Sequence, residues 1–499
     1  MGLAVMSPQA RAETSGTLAS DSVGAYTANW ESLDKRPTPD WYGDAKFGIF
    51  IHWGVYSVPS WAPVGQYAEW YWRHMVMGHK AAPDSTSTAI GTWNYHEKNY
   101  GFHFPYFDFA PMFHAELFDA NRWADIFVQS GAKYIVLTSK HHDGFCLWPS
   151  DLPSKAYGRP WNSVEVGPKR DVVGELTTAV RAKGLRMGLY YSLYEWFNPL
   201  WLTSKTDYAT NYMHPQFKDV VTRYKPSIIF SDGEWEIPSD QWKSPELVAW
   251  LFNESPVKDE VVVNDRWGKE TRHKHGGYYT TEYGSGLSDS NHPWEESRGM
   301  GFSYGLNRHE ALTDYRSSSE LVLMLIDTVS RGGNLLLDIG PAADGMIPVI
   351  MEERLVDMGA WLKINGEAIF GTRSWGSGRQ WSAGKIPTEK KGNYQTGYDI
   401  RKLIKRQSED SAVIEAFFTR KADTLYVIVP EWPETDLPVQ KIKLAPDAKV
   451  TLLGSNDSIK WNPSDDGIVI NCKGFRPKPS PTASPARVFK IEKALPAAN

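Results

Sequence analysis

The chain has 499 residues, 41% apolar and 23% charged, with a formal net charge of −5. That length exceeds one ordinary domain, so two or three are expected, and the mild negative charge gives no reason to expect nucleic acid or an anionic membrane as partner. Cys146 and Cys472 are the only cysteines, too few for a disulfide framework or a thiolate zinc site, and no apolar run approaches the roughly 18 residues of a membrane span.

In chain order, residues 1–29 read as a leader. "ARA" before Glu13 has the small-x-small form of a signal-peptidase site, behind an apolar stretch, "GLAVM", that is short for an export signal. A truncated signal and a secreted or periplasmic location are expected. From Trp41 to Gly340 short apolar runs alternate with longer amphipathic ones. Strands are predicted at "FGIFIHWG" (47–54), "KYIVLTSKHHDGF" (133–145), "RMGLYYSLYEW" (186–196), "SIIFSDGEWE" (227–236), "EVVVNDRWG" (260–268) and "GGYYTTEYG" (276–284). Between them, "FDANRWADIFVQSGA" (118–132) places Trp123, Ile126 and Phe127 at helical spacing. Residues 171–185, 212–225 and 244–255 also read as helices. The segment "HPWEES", which holds Glu295, reads as a loop.

Near-continuous apolar strands separated by helices mark a parallel sheet buried on both faces. So many units, with no Gly-rich phosphate loop after any strand, favour a (β/α)8-like TIM barrel over residues 30–371. After the helix at 350–371 short alternating strands take over, split by Asp, Gly, Asn and Pro turns, and residues 372–499 read as a C-terminal antiparallel β-sandwich. "RPKPSPTASPA" (476–486) is a loop before the last strand.

In such a barrel the chemistry sits where strands end. There the chain places His52, His141 with His142, Tyr190 with Tyr191, Asp232 with Glu234, Asp265 with Arg266, and Glu282. Taken singly, each could cap or pack; six strands ending this way point to a shared site. "FIHWG" offers one His and no second, a poor start for a barrel metal site, and no G-x-S-x-G elbow supports a serine nucleophile. A carboxylate pair remains, the equipment of a glycosidase, with no metal or cofactor required. The 22 Trp, 24 Tyr and 20 Phe suit a sugar site, since flat rings cover the C–H face of a pyranose, though a Trp-rich core would need them equally. Asp232 closes the most apolar strand near the cationic Arg266, which favours an ionised nucleophile. For the acid/base there are two candidates, Glu282 at a strand end and Glu295 beside Trp294, whose ring could raise a carboxyl pKa; the strand position favours Glu282. A carbohydrate-binding protein with a degenerate site and a metal-dependent barrel hydrolase are the alternatives.

"WYGDAKFGIFIHWGVYSVPSWAPVGQYAEWYW", "KHHDGFCLWPS", "GLYYSLYEWFNP", "FSDGEWE", "SPVKDEVVVNDRWG" and "GGNLLLDIGPAADG" together resemble glycoside hydrolase family 29, the retaining exo-α-L-fucosidases, over about residues 30–370. The resemblance implies Asp232 as nucleophile. It implies that the hydroxyls of fucose are held by His52, Glu69, Trp70, His141, His142, Arg266 and a tyrosine of "LYYS", taken as Tyr191 rather than Tyr190. Tyr304 of "GFSYG" would lie near the fucose methyl. The family fixes no shared motif for the acid/base, so Glu282 and Glu295 both stay open there. Asp338 of "LLLDIGP" stands where Asn is frequent, on a strand read as remote from catalysis. The implied partner is a fucosylated oligosaccharide or glycoconjugate.

Overall fold

The computed structural model describes residues 25–82, 87–287, 291–388, 394–445, 447–455, 458–475, 477 and 485–496. The expected leader lies outside these as far as residue 24, as does most of the 476–486 loop.

Eight strands form one sheet: β1 (Phe47–Ile51), β2 (Tyr134–Lys140), β3 (Arg186–Ser192), β4 (Ile228–Asp232), β5 (Val262–Val263), β6 (Tyr279–Glu282), β7 (Trp294–Gly299) and β8 (Asn334–Ile339). Their order is β5-β4-β3-β2-β1-β8-β7-β6, and every ladder is parallel. No ladder joins β5 to β6 among the described residues. The seam is bridged by Gly277 and Tyr278, whose N–H groups donate to the Val263 carbonyl at 3.0 and 3.2 Å. Helices α1 (Ala120–Ser130), α2 (Val172–Ala182), α3 (His214–Tyr224), α4 (Ser244–Asn253), α5 (Ser318–Ser330) and α6 (Val349–Asn365) surround it.

Local chemistry starts and stops these helices. The Asp119 side chain accepts from the N–H groups of Asn121 and Arg122 at the head of α1, and left-handed Gly131 ends it. Ser317 and Glu320 form a capping box on α5. Along the strands, side chains alternate between two apolar surroundings. Phe50, Val136, Tyr190, Phe230, Val262 and Leu336 fill the inside of the sheet. Ile49, Ile51, Leu137, Leu189, Tyr191, Ile229 and Leu337 belong to the separate core shared with the helices. Gly48, two residues before Phe50, shares its inward face and must be glycine, because a Cβ there would lie 2.2 Å from the Tyr134 ring.

The loop expected at Glu295 is instead strand β7. The segment lacks an apolar run because its polar side chains find partners inside the barrel and within the strand. Glu295 accepts from the Tyr42 hydroxyl at 3.0 Å and from the Tyr134 hydroxyl, while Glu296 pairs with Arg298 at 3.1 Å. All six residues of the strand are buried.

The second sheet region comprises β9 (Arg373–Trp381), β10 (Ile414–Lys421), β11 (Thr424–Val429), β12 (Leu437–Gln440) and β13 (Ile442–Leu444), followed by β14 (Val450–Leu452), β15 (Trp461–Ser464), β16 (Gly467–Ile470), β17 (Arg487–Ile491) and β18 (Ala494–Pro496). All pairings are antiparallel, in sheets ordered β14-β17-β11-β10-β9, β12-β16-β15 and β13-β18. Alternation assigns the faces of the largest sheet: Phe417, Ile428 and Val488 join the barrel's outer core, whereas Phe418, Val427 and Phe489 form a second core within the sandwich. Asp327 of α5 clamps the two regions. It accepts from Arg331 at 2.7 Å, from Arg379 of β9 at 2.6 Å and from the Tyr398 hydroxyl at 2.7 Å.

Candidate active site

A cavity of about 220 Å³ opens at the C-terminal ends of the barrel strands, the end where this architecture gathers catalytic groups. It is lined by His52, Glu69, Trp70, His141, Asp232, Arg266, Glu282 and Tyr304 among the residues singled out from the sequence. Phe50, Tyr67, Tyr190, Phe230, Trp235, Arg272, Ser297 and Tyr394 complete the lining.

Asp232 is the last residue of β4 and is 9% exposed. Gly233, with φ of 77°, then turns the chain sharply; a Cβ there would meet Tyr194 and Ser192. Arg266 Nη1 donates to Asp232 Oδ1 at 2.8 Å and Nη2 donates to Glu282 Oε2 at 3.2 Å, so one guanidinium holds both carboxylates. The guanidinium is itself fixed. Its Nε donates to Thr280 Oγ1 at 3.0 Å, Thr280 donates to Asp265 Oδ1 at 2.7 Å, and the Phe230 ring lies 4.9 Å beneath it. Burial opposes ionisation of Asp232, but Arg266, with His142 and Arg272, holds its carboxyl well below the usual range. Glu282 ends β6 and accepts from the Tyr67 hydroxyl on Oε1 at 2.8 Å.

The sugar-facing groups come from other strand ends. His52 follows β1, and its Nδ1 lies 2.7 Å from Asp338 Oδ1 of β8, which leaves Nε2 for the cavity. Burial, assisted by His142 and Arg266, pushes His52 down to about 3, so its imidazole is neutral. Asp338, read as remote, is therefore the group that orients His52. Glu69 sits in a short turn and accepts from Gly305 N–H at 2.9 Å; burial pushes its carboxyl up to about 8, making it a donor near neutral pH. His141 lines the cavity directly. His142 stands behind Asp232, with Nε2 3.4 Å from Oδ2 and Nδ1 on Ser192. Trp70 and Trp235 stack at 6.2 Å and 19°, and the Tyr304 ring lies 4.8 Å from His52.

Two sequence readings need correction. The tyrosine at the site is Tyr190, whose hydroxyl donates to Asp232 Oδ2 at 2.9 Å. Tyr191 points outward, donating to Gln216 at 2.8 Å and covering Lys140. An apolar strand buried on both faces has no polar alternation to phase one neighbour against the other. Glu295 lies at the N-terminal end of β7, in register with Thr280 and with Asn334, the first residue of β8, and it does not line the cavity. Burial pushes its carboxyl up to about 7, against hydrogen bonds from Tyr134 and Tyr42. Trp294, one residue earlier on the strand, faces the other way and packs on Gly286 and Gly333. Glu234 is buried beside Arg272, with Nε to Oε1 at 2.5 Å. Among the described residues, no three His, Cys, Asp or Glu side chains gather as metal ligands.

Of the groups missed in the sequence, Tyr67 and Trp235 lie inside motifs already singled out, beside the residues that carried them. Tyr394 is 112 positions past Glu282, in the other sheet region, and nothing in its surroundings marked it.

A buried, guanidinium-held carboxylate facing a second one, inside aromatic walls at the mouth of a parallel barrel, suits attack on an anomeric carbon; this is a glycoside hydrolase. The family model described as "Alpha-L-fucosidase" matches residues 14–367, and "Alpha-L-fucosidase C-terminal domain" matches residues 408–492. A Dictyostelium discoideum "Alpha-L-fucosidase" is 48% identical over 70% of this chain and 75% of its own length. The Homo sapiens "Tissue alpha-L-fucosidase" is 41% identical over 92% of this chain and 90% of its own. A Thermotoga maritima alpha-fucosidase, solved in complex with a mechanism-based inhibitor, superposes with a TM-score of 0.71 at 33% identity, covering 94% of this chain and 100% of that one. The chain belongs to the α-L-fucosidase family.

Proposed function

We propose that the chain releases terminal α-L-fucose from fucosylated glycans by double displacement, with Asp232 as nucleophile and Glu282 as acid/base. One observation carries this assignment: Arg266 donates to both carboxylates at once. The guanidinium stabilises the negative charge that Asp232 needs for attack. In the first step Asp232 Oδ bonds to the anomeric carbon as the glycosidic C–O bond breaks, and the Glu282 proton passes to the leaving oxygen. In the second step water gives its proton to Glu282 and attacks the same carbon, releasing fucose and free Asp232. Neutral His52, protonated Glu69 and His141 supply acceptors and donors for the ring hydroxyls, and Tyr304 with Phe50 offers an apolar wall for the methyl group. The closed inner end, filled by the barrel core, favours a single terminal sugar.

The test is Asp232→Gly. Turnover of an aryl α-L-fucoside should fall by at least about 10³-fold, and azide should restore part of it by replacing the missing carboxylate. Near-normal activity in the variant would overturn the assignment.

Export to the periplasm or medium is supported by the "ARA" sequence before Glu13, and none of the described helices is long and apolar enough to cross a membrane. Cell fractionation tests this; activity confined to the cytoplasm would refute it.

A further inference from the structure

The segment after β9 leaves the sandwich and returns to the barrel. Tyr394 forms a bridge with Glu282 of β6; Gln395 N–H donates to the Glu282 carbonyl at 2.9 Å, and Thr396 N–H to the Tyr283 carbonyl at 3.1 Å. It thus lies alongside the end of β6 as an added extended segment. Downstream, the Tyr398 hydroxyl ties it to Asp327, and Asp399 lies 3.9 Å from Arg316.

Two side chains of this segment reach the site. Gln395 Nε2 donates to the Tyr67 hydroxyl at 2.9 Å. With its oxygen accepting from Gln395, Tyr67 must direct its own proton to Glu282 Oε1, 2.8 Å away. Gln395 holds this place in a left-handed backbone conformation, φ 43°, which an L side chain adopts only when its surroundings impose it. The Tyr394 ring lines the cavity and is still 50% exposed, a flat apolar face at the mouth beyond Glu282. That is the side from which the leaving group must depart, because Glu282 is the residue that protonates it.

We propose that Tyr394 is the platform on which the leaving sugar rests, and that Gln395 positions Glu282 through Tyr67, so the second sheet region completes the leaving-group side of the active site. This rests on the assignment of Glu282 as acid/base. A pyranose lies flat on a phenol ring by its C–H face, and such a contact can discriminate among leaving groups without touching the fucose.

The experiment compares Tyr394→Ala, Tyr394→Phe and Gln395→Met with the parent protein on α-L-fucosyl fluoride and on a fucosyl disaccharide. Departure of fluoride needs neither protonation nor a platform, so kcat/KM on the fluoride, which reports only the first step, is the control. Tyr394→Ala should lose about 10-fold or more in kcat/KM on the disaccharide, with Phe restoring it, and should lose far less in kcat/KM on the fluoride. Gln395→Met should lower kcat/KM on the disaccharide and shift its pH profile, while sparing kcat/KM on the fluoride. Equal losses on both substrates, or no loss on the disaccharide, would overturn the proposal. Failure of the underlying reading looks different: Glu282→Ala would then turn over the disaccharide as fast as the parent does.

Discussion

Asp232 and Glu295 are both inward-facing, buried carboxylates of one barrel, yet they sit at opposite ends of their strands and in opposite company. Asp232 closes β4 and meets a guanidinium, an imidazole and a phenol. Glu295 lies at the head of β7 and meets two phenols, with Oε1 unpaired among the described residues. Burial penalises ionisation at both places; at Asp232 the adjoining Arg266, with His142 and Arg272, overcomes it, whereas at Glu295 the two phenols and the Arg266 charge do not, so Asp232 is held charged while Glu295 is pushed up to about 7. Depth in the barrel does not distinguish a reactive carboxylate from a structural one. The end of the strand and the sign of the neighbour do.

The largest effect that could break this contrast is kinetic. Glu282→Ala should lower turnover of fucosides with poor leaving groups by about 10²–10⁴-fold, while a good leaving group is affected far less in the first step. Glu295→Gln should leave both rates within about 2-fold of the parent, because Glu295 lies at the other end of its strand from the cavity. Steady-state kinetics on a series of aryl fucosides separates the two. If Glu295→Gln showed the leaving-group dependence instead, the contrast between the strand ends would collapse.

Much of this was legible in the sequence, and the reasons are physical. The barrel could be inferred because parallel strands covered on both faces carry near-continuous apolar runs, and β1 to β4 do up to their polar ends. The same property conceals the phase of β3, so nothing in the sequence separates Tyr190 from Tyr191. Strand β7 is hidden for the opposite reason: Glu296 pairs with Arg298 and Glu295 takes up two buried phenols, and a strand held by buried polar contacts has no hydrophobic signature. Asp338 could not be linked to His52 because their contact spans 286 positions and depends on β1 and β8 being neighbours in the sheet. The Tyr394 segment was the least accessible, since its role comes from the docking of one sheet region on another. Residues that carry a charge at a strand end could be read one by one; residues that act by orienting those charges could not.

A smaller effect sharpens the same contrast through stability. Glu295 ionises near 4.5 when unfolded and near 7 when folded. Between those values the folded protein keeps a proton that the unfolded chain has released. The stability associated with Glu295 is therefore complete below about pH 4.5, declines as pH rises and is lost above about 7. At roughly 1.4 kcal/mol per pH unit the loss approaches about 3 kcal/mol. Glu295→Gln should not show it. The amide oxygen can accept from Tyr42 and Tyr134 as the carboxylate does, and its NH2 would take the place of Oε1, which has no partner among the described residues. That substitution adds a pH-independent offset. Glu69 and Asp143, pushed up by burial to about 8 and about 7, titrate over the same interval in both proteins and cancel in the difference. Denaturant unfolding at pH 4.5, 6 and 8 should thus show the variant gaining on the parent as pH rises, with no change in fucosidase rate. Parallel stability curves would mean that Glu295 is already ionised at neutral pH, and the phenols alone would then suffice to hold a buried charge.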